Sequence, residues 1–122
     1  MAEREYTPEE ANGLLPQISE SLLRIQRARR VIFDGGERLR RTARTNGGGA
    51  VSREYWDAID TLRREIQDIV DRGIVLRDPE SGLIDFPGRV EGQEAFLCWR
   101  LGEDRVEWWH RPDSGFRGRR RL

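Results

Sequence analysis

The chain predicts an α+β fold, an antiparallel helical hairpin followed by a small antiparallel β-meander, on three observations. Through the first half, apolar residues recur at alternating steps of three and four. Near Gly73 the apolar period changes to two. Between two helical stretches lies Thr45-Asn46-Gly47-Gly48-Gly49-Ala50, a loop short enough to force them antiparallel. The 122 residues suit one domain, with the hairpin over 1–73, the meander over 74–111 and an arginine-rich tail over 112–122.

The first helix starts at Thr7-Pro8-Glu9-Glu10. Thr7 can cap the free N–H groups, Pro8 suits the first helical position, and Glu10 completes a capping box. Pro16 interrupts the pattern, which predicts a short helix over 8–15 or a kinked first segment. Leu15, Ile18, Leu22, Ile25, Ile32, Leu39 and Ala43 form a heptad seam, with Arg29 and Gly36 filling two of its positions. Each glycine of Gly35-Gly36 costs about 1 kcal/mol inside a helix, leaving room for a bend or an early end. The second helix is capped by Ser52, carries Tyr55, Ile59, Leu62, Ile66 and Ile69, and ends at Gly73. Packed seam to seam, the pair should bury Leu22, Ile25, Leu62 and Ile66.

The meander reads as strands over 73–78 and 83–87, a loop over 88–93, and strands over 94–101 and 105–111 joined by Gly102-Glu103-Asp104. The register of the last hairpin decides which rare residues meet. A two-residue loop of Glu103-Asp104 sets Trp99 opposite Trp108 and pairs Arg100 with Glu107, placing Cys98 and His110 on opposite faces. A three-residue loop puts Cys98 and His110 on one face as diagonal neighbours. Pairing chemistry favours the first, which matches Leu101 with Val106 and avoids placing Arg100 opposite Val106.

Net charge is zero but unevenly spread. Residues 24–44 hold eight arginines and two acids, and residues 117–122 hold four arginines. The second helix is acidic, so the first block reads as attraction between neighbouring helices, and no whole-chain nucleic-acid footprint exists. All 22 basic residues are arginine, a bias of coding composition. No apolar run approaches the ~20 residues of a membrane span. The absence of a secretory start and the single cysteine, which cannot form an internal disulfide, fit a cytoplasmic protein.

Residues 97–110 hold the only cysteine, the only histidine and three of the four tryptophans. Cys98 sits between Leu97 and Trp99 and reads as core packing. Zinc sites built from clusters of Cys and His are excluded by count. A mixed site is the sharper alternative: Asp85, Glu103 and His110, with Asp78 as a further candidate, lie at strand ends or in turns. This oxygen-rich set suits Mn, Mg or Zn. Trp99, Trp108, Trp109 and Arg100 are the residue types that interaction surfaces favour. The tail Gly115-Phe116-Arg117-Gly118-Arg119-Arg120-Arg121-Leu122 offers a third reading, weak nucleic-acid binding.

With Gly82-Leu83-Ile84-Asp85-Phe86-Pro87, Leu97-Cys98-Trp99-Arg100-Leu101-Gly102-Glu103, the Trp-Trp-His run and the arginine tail in this order, the chain resembles a prokaryotic family, domain of unknown function 2203. The resemblance implies no established reaction and at most metal binding. In that family the histidine is often followed by an acid, where this chain has Arg111. The leading expectation is a non-catalytic interaction module, a homodimer joined through the helices or the tryptophan face. The alternative is a divalent-metal-binding, hydrolytic protein.

Overall fold

A computed structural model describes residues 4–46 and 51–122. Helices α1 (Pro8–Asn46) and α2 (Arg53–Asp71) form the hairpin. Strands β1 (Val75–Asp78), β2 (Leu83–Val90), β3 (Gln93–Arg100), β4 (Trp108–His110) and β5 (Arg120–Arg121) form one antiparallel sheet in that order. The α+β hairpin-and-meander architecture is the one the sequence predicts. The tail supplies the fifth strand, which sequence reading did not include.

Both helix starts take the expected form. Thr7 N–H donates to Glu10 Oε1 at 2.9 Å and Glu10 N–H to Thr7 Oγ1 at 3.1 Å, a reciprocal capping box. Tyr55 N–H donates to Ser52 Oγ at 3.1 Å. Pro16 does not break α1. It is exposed, so the carbonyl it leaves without an N–H partner can be hydrated, while buried Leu15 and Ile18 hold the flanking turns to the core. From residue 47 the expected glycine loop lies outside the described residues, as does the side chain of Ala43.

Gly35-Gly36 neither bends nor ends the helix, because tertiary packing uses one of them. A Cβ at Gly35 would stand 2.4 Å from the Tyr55 ring, whereas one at Gly36 meets nothing within 4 Å. The glycine lets the tyrosine of α2 lie directly on the backbone of α1. Gly36→Ala is therefore expected to stabilise the protein by up to about 1 kcal/mol through helix propensity. Gly35→Ala should destabilise it by about 1–3 kcal/mol through overpacking. Urea unfolding of the two variants checks this, and shifts of the same sign would refute the packing role.

The core lies between the hairpin and the inner face of the sheet. Ile18, Leu22, Ile25 and Ile69 pack there with Ile84, Phe86, Leu97, Trp99 and Trp109. Leu62 and Ile66 are only partly buried against this cluster, because α2 covers its margin. Arg24 reaches across the hairpin to Glu65 at 3.0 Å, the inter-helix attraction expected of the basic block. Ahead of α1, Tyr6 N–H donates to the Pro87 carbonyl at 2.7 Å, and its hydroxyl to the Arg72 carbonyl at 2.5 Å. These two bonds tie the N-terminal segment to both layers.

The loop expected over 88–93 is mostly strand. Strand β2 runs on through Val90 and turns at Glu91-Gly92, both at positive φ (54° and 76°), as a two-residue hairpin turn of the right-handed sheet requires. The last hairpin departs further from expectation. Cys98 stands opposite Trp108 and Phe96 opposite His110, while Trp99 opposes Ile84 on β2. The expected Trp99–Trp108 pair is therefore corrected by one residue, and Cys98 and His110 share a face. The physical reason is that residues 101–107 form no ladder. Trp99 Nε1–H donates to the Glu103 carbonyl at 3.0 Å, Val106 is buried, and its N–H donates to Asn12 Oδ1 at 2.7 Å. Helix α1 thus captures the connection, and pairing resumes only at Trp108. Among the described residues, no helix is long and apolar enough to cross a membrane.

Candidate metal centre

In β2, Ile84 and Phe86 face the helices, so the pleat sends Asp85 to the outer face. Register then places Cys98 beside it on β3, and His110 reaches the same point from β4. The Pro112–Phe116 segment returns over these side chains and roofs a cleft of about 350 Å³ that Arg77 and Leu83 also line. All three residues are 2% exposed or less, although they stand on the sheet face away from the helices.

The donor atoms of Asp85, Cys98 and His110 lie within 4.8 Å of one another. His110 Nδ1 is 2.7 Å from the Arg111 carbonyl, and since a carbonyl only accepts, Nδ1 carries the proton. Nε2 then points at Asp85 Oδ2 from 2.9 Å. Either a proton lies between them or a cation must, because two lone pairs cannot face each other at that distance. Arg77 Nε–H donates to the same Oδ2 at 2.8 Å. The other carboxylate oxygen, Oδ1, is buried without a hydrogen-bond partner, a state that costs about 1–3 kcal/mol or more for a charged group. Burial first, and the Asp85 charge second, push the Cys98 thiol up to about 11, against the opposing pull of Arg119.

The expected ligand set is only partly assembled. Asp85 and His110 meet; Glu103 does not join them. It closes its own turn, accepting from the Arg100 N–H at 2.8 Å, and receives both Arg119 nitrogens at 3.2 and 2.8 Å. Burial raises its pKa, but the Arg119 hydrogen bonds outweigh that and hold the carboxyl below the ordinary range. Asp78 is likewise engaged, by the Ser81 hydroxyl at 2.7 Å and the Glu80 N–H at 3.2 Å in the β1–β2 turn. Cys98 takes the third place. Its adjacency to His110 was written in the sequence only as the less favoured of two registers.

Over residues 4–122 the chain matches the family model described as "Uncharacterized conserved protein (DUF2203)". The chain belongs to that family. Comparison with curated proteins and with solved structures returned no match. In this DUF2203 chain the expected tryptophan surface is largely internal. Trp99 and Trp109 are 2% and 6% exposed, because the register turns both toward the helices. Trp108 is half-buried under Arg119 and Arg121, and Arg100 lies over the Phe116 ring. The tail arginines are similarly occupied: Arg121 pairs with Glu107 at 3.0 Å, and Arg120 lies over Trp109.

Proposed function

We propose that the protein binds a divalent metal ion, zinc by preference, through Asp85, Cys98 and His110. The observation that carries this reading is the orphaned Oδ1 of Asp85, 2% exposed, beside an imidazole nitrogen and a thiol at the floor of a cleft. Around a tetrahedral zinc ion, donor atoms stand about 3–4 Å apart, so closing this triad needs shifts of about an ångström. A thiolate donor narrows the oxygen-rich Mn, Mg or Zn set toward zinc, since the harder ions prefer all-oxygen shells. Arg77 and the Arg111 carbonyl are the outer partners that orient the carboxylate and the imidazole. Three protein ligands leave one coordination position for water or an exogenous group, the pattern of zinc sites that act on a ligand.

Metal analysis of the purified chain after equilibration with zinc is expected to give close to one ion per chain. The cobalt form should show thiolate-to-cobalt charge-transfer absorption. His110→Ala and Cys98→Ser should each lose the ion, with far-ultraviolet circular dichroism reporting that the fold is kept. Full retention of zinc by the folded His110→Ala chain would overturn the assignment.

A further inference from the structure

We infer that the open position of this site takes a small monocarboxylate carrying a short alkyl chain, an inference that rests on the metal reading above. The head group is argued from Arg77. Its Nε–H is committed to Asp85, while its terminal nitrogens donate to no protein atom among the described residues, and the side chain is 42% exposed at the cleft wall. A carboxylate with one oxygen on the ion can offer the other to that guanidinium, the planar fork that suits it. Asp113 also lines the cleft but is exposed, so its charge is solvated.

The alkyl chain is argued from what adjoins the head site. A second cleft of about 340 Å³ shares Pro112 with the first and is floored by Val75, Pro87 and Phe96. Phe96 lines the second cleft and touches two residues of the first. It packs on the His110 ring at 5.6 Å and carries the Arg77 guanidinium at 4.9 Å. Arg4, Glu5 and Glu94 rim this second lobe and are all exposed, which leaves its floor apolar. The two clefts meet at Pro112, so a ligand whose head sits by Arg77 would reach past Pro112 into an apolar hollow. A molecule with a charged head and an apolar body fills both parts, whereas a charged head alone fills one.

The test uses the cobalt-loaded full chain and reads its visible spectrum during titration with acetate, butyrate, hexanoate and hexanol. Each methylene moved from water into an apolar lobe is worth up to about fourfold in affinity. Hexanoate is therefore expected to bind at least about tenfold more tightly than acetate, and hexanol to leave the spectrum unchanged. Pro87→Phe, which fills the apolar lobe, should bring the hexanoate-to-acetate ratio toward one. Equal binding of acetate and hexanoate, or no spectral response to either acid in a protein that does take up cobalt, overturns this inference and leaves the metal reading standing. Failure to take up cobalt overturns both.

Discussion

Zinc affinity is expected to rise at least about tenfold per pH unit, or roughly a hundredfold from pH 6 to pH 8. The sign follows from the thiol. Burial and the neighbouring Asp85 charge hold Cys98 protonated up to about pH 11, so across this range the free protein carries an S–H. Zinc takes the thiolate, so every ion bound displaces that proton, and acid favours the proton over the ion. Calorimetric titration in buffers of different ionisation enthalpy counts the released protons directly. A pH-independent affinity, or an unchanged slope in Cys98→Ser, would remove the cysteine from the coordination shell.

The same cysteine shows why the fold was more legible than the site. Helix starts were readable because capping is local: Thr7 and Glu10 meet within one turn, and the protein has them bonded reciprocally. The change of period at Gly73 was readable because a half-buried sheet leaves a two-residue alternation. Register is different, since one residue of slip reverses the faces of a whole strand. Pairing Arg100 with Glu107 gave a reasonable preference within the hairpin, yet that preference counted only strand against strand. The deciding bond, from the Val106 N–H to Asn12, joins residues 94 positions apart and exists only once α1 lies on the sheet. Asp85 and His110 could be singled out as ligand types expected at strand ends or in turns. That Cys98 lies beside them, and that Arg119 engages Glu103 elsewhere, depends on contacts the sequence does not order.

Arg119→Ala is expected to cost about 2–4 kcal/mol of folding stability, a large effect for a residue of the arginine-rich tail. Although it lies in an arginine-rich tail, this side chain is only 14% exposed. Its guanidinium lies between the Phe116 and Trp108 rings, 4.3 and 4.7 Å from their centroids, and holds Glu103 with both terminal nitrogens. Removing it leaves a carboxylate, 22% exposed, without its partner in a turn that also depends on that carboxylate. The magnitude sits toward the lower part of the range for broken buried pairs because solvent still reaches both groups. Arg119→Lys should recover less than half of the loss, since an ammonium reproduces neither the planar fork nor the stacking. Exposed Arg117 is the control, and its alanine variant should stay within about 0.5 kcal/mol of the parent. Urea unfolding measures all three. An Arg119→Ala chain as stable as Arg117→Ala would mean that the tail merely rests on the protein, and the roof over Asp85, Cys98 and His110 would then have no anchor.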